Sequence, residues 1–331
     1  MAKEFAWPGD ARLALSIVVN VEEGSESTVI DGDRGPEPVD ELGVAPKKPI
    51  RCHGNESNYE YGIREGWPRI HRLLQKYAIK ATFTAAAVSL ERAPDIAQAI
   101  RDEGHEPCSH GYRWMHQFFL DEDSEREFIR KAVTSIEAST GQRPLGWLSR
   151  YLHTENTRRL LQEEGFLYHM DDYSADAPFW IGVEASNDPM IIVPYALDSN
   201  DMKFWTAPSL TPEDWLQYAK RSFDCLYEEG AEIPRMMSLG LHLRIIGRPG
   251  RIWALEEFFK YVAERDDVWI AGGLADELHH DVEGFIRMVN EDILGTDRLE
   301  TISAHFPDAL REPRFKGLKQ QFWAIFYDQT R

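Results

Sequence analysis

Chemically reactive side chains follow several apolar segments of the chain. Glu22 and Glu23 come directly after the run LALSIVVNV, and His110 follows the segment GHEPCS. Arg150 ends the segment GWLSR, and His242 ends the run MMSLGLH. Carboxylates and imidazoles can transfer protons, and a guanidinium can stabilise a developing oxyanion. If the fold brings these five side chains together, the pattern indicates acid–base chemistry.

The acidic pair Glu22-Glu23 is the first of these features. Two adjacent carboxylates repel each other, so we expect one of them to have a raised pKa unless a cation or hydrogen-bond donors compensate. Such a pair can supply a general base or present a metal ligand. A solvated acidic turn is the alternative that the residues leave open.

The histidines admit two interpretations. His110 and His116 stand six residues apart with Trp114 between them, and one histidine in a turn is more often structural. His242 lies inside an apolar run, so it is either a hydrogen-bonded core histidine or a buried neutral imidazole that acts as a general acid. The position of His242 at a predicted strand end favours the second interpretation.

Alternating β and α segments must position these side chains. Besides the first run, we predict strands at 79–88, 143–149, 236–243 and 267–272, separated by amphipathic helical segments. Six or seven such units indicate an α/β protein with a parallel sheet, either a barrel or a doubly wound fold. The chain has neither GxGxxG after its first strand nor GxxxxGK[ST], which favours the barrel. In a barrel, polar residues at the carboxyl ends of strands are the catalytic candidates.

Local signals predict several element boundaries. The polar, Gly- and Pro-rich stretch 32–58 exceeds an ordinary connection and is interpreted as an active-site loop. Ser124 and Glu127 are predicted to form a capping box at the start of a helix. Thr211 is predicted as the N-cap of another helix that ends at Gly230.

Composition limits the class of partner. The formal net charge is −19, which disfavours nucleic acid and anionic membranes. No segment approaches the roughly 18 apolar residues of a membrane helix, and the first residues lack the apolar region of a secretory signal. The three cysteines show no paired spacing, which favours a reducing compartment. We therefore expect a soluble cytoplasmic protein with a small-molecule substrate.

The β/α pattern weakens towards the C-terminus. We predict that residues 1–282 form the barrel domain and that 283–331 are an extension that packs on the barrel or on a neighbouring subunit. The aromatic segment FWAIFYDQTR in this extension favours a homo-oligomer.

The order of motifs resembles the polysaccharide deacetylase (NodB-homology) superfamily, whose fold is a distorted (β/α) barrel. The resemblance rests on Glu22-Glu23-Gly24, Ser109-His110, Arg150 and the string LGLH that ends at His242. The longer strings NVEEGSE, NYEYGIREG, SHGYRW, VPYALDSNDMKFW and SLGLHLRIIGRPGR are similar to the metal-independent allantoinases and related cyclic-amide hydrolases of that superfamily.

This resemblance implies a hydrolase that cleaves a C–N bond, other than a peptide bond, in a small ureide or imide such as allantoin. Glu22 or Glu23 would deprotonate water, His242 would protonate the leaving nitrogen, and Arg150 would stabilise the oxyanion, with His110 beside them. The residues expected to bind the substrate are Tyr61, Arg64, Trp114, Asp172, Trp180, Asn200 and Asp201. The segment SRYLHTENT departs from the allantoinase-like pattern, so Tyr151 and His153 are expected to line the pocket and to alter the substrate.

The metal content stays open at this point. Trp114 stands where the superfamily has its second metal-binding histidine, which favours an enzyme without a cofactor. A turn that curls back could still gather Glu23, His110 and His116 around a divalent metal such as zinc. Two alternatives to the ureide hydrolase follow: a metal-dependent N-deacetylase of acetylated carbohydrate, and a non-catalytic barrel used for binding.

Overall fold

The computed structural model describes residues 7–271, apart from residues 40, 44–47, 184–188, 196 and 207. The predicted boundary at 282 and the extension 283–331 lie outside the described residues. No helix among the described residues is long and apolar enough to cross a membrane.

The described part of the chain forms one sheet of nine strands, in a curled half-barrel. Eight strands follow the spatial order β6-β7-β5-β4-β3-β2-β1-β8, and β9 also pairs with β1. All described pairings are parallel except β6 with β7. The strands are β1 Leu13–Val21, β2 Thr82–Ala85, β3 Glu106–Ser109, β4 Gly146–Trp147, β5 Tyr168–His169, β6 Phe179–Ile181, β7 Met190–Ile192, β8 Arg235–His242 and β9 Val268–Ile270.

Helices cover the outer face of this sheet. The α-helices are α1 His53–Tyr61, α2 Trp67–Lys76, α3 Ala87–Arg92, α4 Pro94–Glu103, α5 Glu122–Thr140, α6 Thr157–Glu163, α7 Pro212–Glu229, α8 Leu243–Ile246 and α9 Pro249–Val262. A π-helical turn, Gly62–Gly66, joins α1 to α2. The short 3-10 turns are Pro8–Asp10, Val29–Asp31, Gln117–Phe119 and Asp201–Phe204.

Strand β1 is the centre of the sheet. It pairs with β8 from Leu13 to Asn20, while β2 and β9 share its other edge, β9 on the first half and β2 on the second. Since the strands on both sides run parallel to β1, their carboxyl ends lie at the same end of the half-barrel. The register places Asn20 directly opposite His242.

The alternation of side chains along β1 separates two layers of core. Leu13 and Ile17 pack among the helices, whereas Ala14 and Val18 pack inside the curl of the sheet. Because successive side chains of a strand point to opposite faces, the even-numbered positions continue the inner face. Glu22 therefore follows the inner row of β1, and His242 follows the inner row of β8.

Three boundary predictions have different outcomes. The N-cap of α5 is Asp121, which accepts a hydrogen bond from the Ser124 backbone N–H at 2.9 Å, so the capping box predicted at Ser124 is wrong. The N-cap at Thr211 is confirmed. The predicted loop 32–58 contains the start of α1, which pattern reading missed because this helix buries Asn55 and Asn58 rather than an apolar stripe.

Gly66 marks a close approach between the end of the π-helical turn and the start of α8. A Cβ atom at Gly66 would lie 2.0 Å from the carbonyl oxygen of Leu243. Because this oxygen belongs to the backbone, a larger residue at position 66 would push the two backbone segments apart. We predict that Gly66→Ala lowers the free energy of unfolding by about 1–3 kcal/mol through overpacking. Urea unfolding measures this change.

The matched control is Gly250→Ala in helix α9, where a Cβ would meet nothing within 4 Å. Alanine there is expected to be neutral or slightly stabilising, because it favours the helix over the unfolded chain. Equal effects of the two substitutions would contradict the close approach at Gly66.

Candidate active site

A cavity of about 160 Å³ opens at the carboxyl ends of the strands. It combines acid–base groups with aromatic walls and two cationic side chains. The lining residues are Asn20, Glu22, His110, Trp114, Leu148, Ser149, Arg150, Tyr151, Tyr173, Tyr195, Leu197, Asn200, Met202, Lys203, Thr206 and His242.

Glu22 is the acid of the predicted pair that lines this cavity. Its Oε1 lies 3.4 Å from Nε2 of His242 and 3.6 Å from Nε2 of His110, and its Oε2 accepts a hydrogen bond from Arg244 at 2.8 Å. Burial alone would raise the pKa of Glu22, but the positive charges of His242 and Arg244 lower it well below its ordinary value. Glu22 is thus an ionised carboxylate between imidazoles.

Glu23 lies on the opposite side of the chain, outside the cavity lining. Its Oε1 accepts a hydrogen bond from the Arg244 backbone N–H at 3.1 Å and packs against Gly62, where a Cβ would come within 2.5 Å of that oxygen. Burial raises the pKa of Glu23, with a smaller contribution from the neighbouring charge of Glu22, while Arg244 opposes this shift. The expected raised pKa in the acidic pair is therefore that of Glu23, the member outside the cavity.

Arg244 is a central residue that sequence analysis missed. Its Nη1 atom contacts both Glu22 and Glu23, and its guanidinium carbon lies 4.3 Å from the centre of the Tyr59 ring. Burial alone would lower the pKa of Arg244, but the surrounding acidic groups raise it well above its ordinary value. The available signal was its position two residues after His242 in the string LHLR.

His242 is held by Asp201 on the side away from Glu22. Nδ1 of His242 lies 2.7 Å from Oδ1 of Asp201, whose Oδ2 accepts hydrogen bonds from the backbone N–H groups of His242 and Ile246. Burial alone would lower the pKa of His242, but the carboxylates of Glu22 and Asp201 raise it to about 10. The ring is therefore an imidazolium, not the neutral imidazole that the sequence predicted.

Asp201 was predicted to bind the substrate, but the structure places it elsewhere. It is buried behind His242 and is absent from the cavity lining, so it orients His242 rather than contacting a ligand. Its neighbour Asn200 does line the cavity. Asn200 caps the 3-10 turn through the Met202 backbone N–H, and its Nδ2 donates to the Tyr195 hydroxyl at 2.9 Å.

His110 and Trp114 form a hydrogen-bonded pair. Nδ1 of His110 lies 2.5 Å from the Leu148 carbonyl oxygen, and this acceptor requires the proton to be on Nδ1. Nε2 of His110 then accepts a hydrogen bond from the indole N–H of Trp114 at 3.0 Å. The second partner leaves Nε2 unprotonated, so both contacts specify one neutral tautomer.

Arg150 lines the cavity and is paired with Glu37, an acid that sequence analysis missed. Nη1 of Arg150 donates to Glu37 and to the Trp114 carbonyl, both at 2.9 Å, and the guanidinium carbon lies 3.8 Å from the centre of the Trp114 ring. Within the described residues, Nε of Arg150 is buried without a hydrogen-bond partner. Glu37 lies in a non-periodic acidic loop, so no sequence signal separated it from its neighbours.

Several predicted ligand-binding residues lie away from the cavity. Arg64 is exposed and pairs with Glu60 at 3.1 Å. Tyr61 packs under Arg248, whose guanidinium carbon lies 3.6 Å from the ring centre. Tyr61 is the last residue of α1 and Arg64 lies in the π-helical turn, and neither lines the cavity.

Asp172, Trp180 and His153 are also absent from the lining. Asp172 accepts a hydrogen bond from the hydroxyl of Ser174 at 2.6 Å, and Trp180 lies on the antiparallel edge strand β6. His153 stacks edge-on against another histidine at the end of β5. Trp114, Asn200 and Tyr151 do line the cavity, as do Tyr173, Tyr195 and Lys203, which the predictions did not include.

The described donors do not fit the divalent metal that the resemblance left open. No group of three or more His, Cys, Asp or Glu side chains in the described ranges could hold a metal ion. The Nε2 lone pair of His110 is directed to Trp114, and the cation beside Glu22 and Glu23 is Arg244. His116 contacts the Arg150 carbonyl through Nδ1 and lines a second cavity. The possible set Glu23, His110 and His116 is therefore not brought together.

Known proteins are similar to this chain in sequence and in fold. The polysaccharide deacetylase family model matches residues 56–168. A Schizosaccharomyces pombe protein, named "Putative polysaccharide deacetylase", is 34% identical over 285 residues, which cover 80% of this chain and 89% of that protein. The chain belongs to the polysaccharide deacetylase family. The family's members act on C–N bonds other than peptide bonds, so the prediction of such a hydrolase is confirmed.

Two solved structures are similar to this protein over most of the chain. The "probable Polysaccharide deacetylase from Pseudomonas aeruginosa PAO1" is 42% identical, with a TM-score of 0.78 and coverage of 83% of this chain and 93% of the other. Puue allantoinase is 39% identical, with a TM-score of 0.77 and coverage of 88% and 94%. These likenesses confirm the predicted distorted (β/α) barrel.

We predict that Asp201→Asn lowers the pKa of His242 from about 10. The substitution removes one of the two anions that stabilise the imidazolium. Because a raised folded-state pKa stabilises the protein below the unfolded value of about 6.5, the wild-type contribution is lost as the pH rises through about 10. In the variant the contribution is smaller, and its loss is complete at a lower pH because the folded-state pKa is lower. An NMR titration of ¹⁵N-labelled histidines measures the shift.

Asp198→Asn is the matched control, since Asp198 is on the same loop but its carboxylate accepts from the exposed Tyr218 hydroxyl at 2.9 Å. This variant is expected to leave the His242 titration unchanged. Identical titrations in both variants would contradict the role assigned to Asp201.

Proposed function

We propose that the protein hydrolyses a C–N amide bond in a small cyclic ureide or imide. The observation that carries the proposal is the pair of Glu22 and His242 on the wall of a small cavity, with Oε1 and Nε2 3.4 Å apart. One member is a carboxylate that can accept a proton, and the other is an imidazolium that can donate one.

The size and walls of the cavity support a small flat substrate. Its volume of about 160 Å³ is below the ~300–1,000 Å³ of pockets that enclose drug-sized ligands. Trp114, Tyr151, Tyr173 and Tyr195 supply aromatic faces for a planar ring. The similarity to a structure named Puue allantoinase agrees with this substrate class.

Glu22 and His242 act on the two atoms of the scissile amide bond, Glu22 at its carbonyl carbon through water and His242 at its nitrogen. Glu22 takes a proton from water as the water oxygen bonds to the carbonyl carbon. His242 gives its Nε2 proton to the ring nitrogen as the C–N bond breaks. The proton on Glu22 then returns to Nε2 of His242, which restores the starting state.

This exchange avoids a large electrostatic penalty. The proton gained by Glu22 is matched by the proton lost from His242, so the buried pair keeps the same total charge. Moving a net charge into this site would require desolvation that costs several kcal/mol. The low pKa of Glu22 also depends on the charge of His242, so Glu22 becomes more basic as His242 donates its proton.

Arg150 is the proposed donor to the oxyanion. It lines the cavity, and its Nη1 is already engaged by Glu37 and the Trp114 carbonyl. Its Nε is the nitrogen without a hydrogen-bond partner among the described residues. His110, fixed as a neutral ring, provides a polar wall beside Glu22 rather than a charge.

We predict that Glu22→Gln lowers kcat/KM by about 10²–10⁴-fold, because it removes the proton acceptor in the cavity. The neighbouring substitution Glu23→Gln is the contrast: Glu23 lies outside the cavity, so its loss is expected to reduce stability more than rate. Both variants and wild type are assayed on hydantoin-type ureides, cyclic imides and N-acetyl sugars. Wild-type rates for Glu22→Gln on every hydrolysed compound would reject the mechanism.

A second prediction separates this mechanism from a metal-dependent deacetylase. Dialysis against a chelator is expected to leave ring hydrolysis unchanged, because the described side chains do not form a metal site and Arg244 already neutralises the acidic pair. Rates are compared before dialysis, after dialysis and after addition of zinc. Loss on chelation with recovery on zinc addition, or hydrolysis of N-acetyl sugars alone, would favour the deacetylase alternative.

A further inference from the structure

The proposed reaction uses Glu22, His242 and Arg150 but leaves the remaining cation of the cavity without a role. Lys203 lies on the 3-10 turn Asp201–Phe204, the same turn that carries the partner of His242. Its side chain lines the cavity and is partly buried. Across the described part of the chain, its ammonium group makes no hydrogen bond or ion pair.

Three other lysines in the described part of the chain are paired with an acid. Lys76, Lys131 and Lys260 each contact a glutamate at 2.5–2.6 Å. A protein with a formal charge of −19 has many acids available to pair with lysine. Lys203 instead faces a cavity whose lining contains one acid, Glu22, and that acid is already neutralised by Arg244 and His242.

Two hydroxyl groups in the lining of the same cavity are also available as donors. The Tyr151 hydroxyl contacts the sulfur of Met202 at 3.4 Å, and a thioether is a weak acceptor. The Tyr173 hydroxyl has no hydrogen bond to the described residues. By contrast, the Tyr195 hydroxyl already accepts from Asn20 and Asn200 at 2.8 and 2.9 Å. The cavity therefore offers a cation and two neutral donors to a ligand.

A ligand that satisfies these donors has an acceptor with a single negative charge. One ammonium and two hydroxyls match a carboxylate, which accepts several hydrogen bonds while it carries one charge. A substrate carboxylate placed next to Glu22 would be repelled by that acid. Pairing of the carboxylate with Lys203 therefore also orients the ring. The amide bond then lies towards Glu22 and His242, and the carboxylate lies towards Lys203.

We propose that Lys203, with Tyr151 and Tyr173, binds a carboxylate substituent of the substrate and makes the enzyme selective for carboxylated cyclic ureides or imides. This inference rests on the proposed function, since it names the substrate class of the same cavity. It makes Lys203 a specificity-determining residue that takes no part in proton transfer.

Two hydantoins of nearly equal shape test this inference. One has a carboxymethyl group at ring carbon 5, and the other has a carbamoylmethyl group, so they differ chiefly in charge. Wild type is expected to show about a 10- to 100-fold higher kcat/KM for the carboxylate, the range expected for a hydrogen bond to a charged group. High salt should reduce this preference.

Lys203→Met removes the charge and keeps the length of the side chain. It is expected to lower kcat/KM much more for the carboxylate than for the carbamoylmethyl compound, and so to abolish most of the preference. Lys203→Arg should retain the preference. Lys260→Met is the matched control, because Lys260 is an exposed lysine on α9 that pairs with Glu257. Equal wild-type rates for the two hydantoins, or equal losses in Lys203→Met, would overturn the inference.

Titration calorimetry with the same two compounds separates this inference from the proposed function. If wild type hydrolyses neither hydantoin, the proposed function fails. The calorimetric affinities for the two compounds then test the role of Lys203. Tighter binding of the carboxylate by wild type, lost in Lys203→Met, supports the inference. Equal binding of both compounds, or binding of neither, overturns it.

Discussion

The ion pairs of Arg244 with Glu22 and Glu23 are the constraint on which the site depends. Two carboxylates on adjacent residues cannot both be buried and ionised without a cation, and loss of one partner from a buried pair costs about 3–5 kcal/mol. Arg244 meets this need through Nη1 and also donates its backbone N–H to Glu23. The end of β1 and the segment after β8 are thereby held together, and these two segments carry Glu22 and His242.

The regular geometry of parallel strands accounts for the rest of the positioning. Alternation along β1 directs Glu22 inwards and Glu23 outwards, so one acidic pair supplies both a cavity wall and a structural anchor. The register of β1 with β8 brings Asn20 opposite His242, which places the imidazolium beside Glu22. Segments between the strands supply the counter-ions: Asp201 pairs with His242, and Glu37 pairs with Arg150.

Sequence reasoning succeeded where chemistry follows a regular element. Glu22, His110, Arg150 and His242 follow apolar strands, so strand direction alone predicts that they converge at one edge, and all four line the cavity. Residues that act through a partner were harder to predict: Glu37 lies in an irregular loop, and Arg244 was marked only by its position two residues after His242. Arg64 and Tyr61 were misplaced because a family-like string does not reveal which face of a helix a side chain occupies. The titration state of His242 depends on two charges brought from distant positions.

The pairing of Arg150 with Glu37 has a consequence for the loop that follows β1. Glu37 belongs to the loop that follows β1, and its carboxylate also accepts from the backbone of Val39 at 3.0 Å. Arg150 is buried, so its charge is compensated only when that loop has settled on the barrel. Local opening of the loop would leave an unpaired buried guanidinium long before the sheet separates. That penalty opposes opening of the loop, so the same ion pair that orients Arg150 in the cavity also fastens the loop to the barrel.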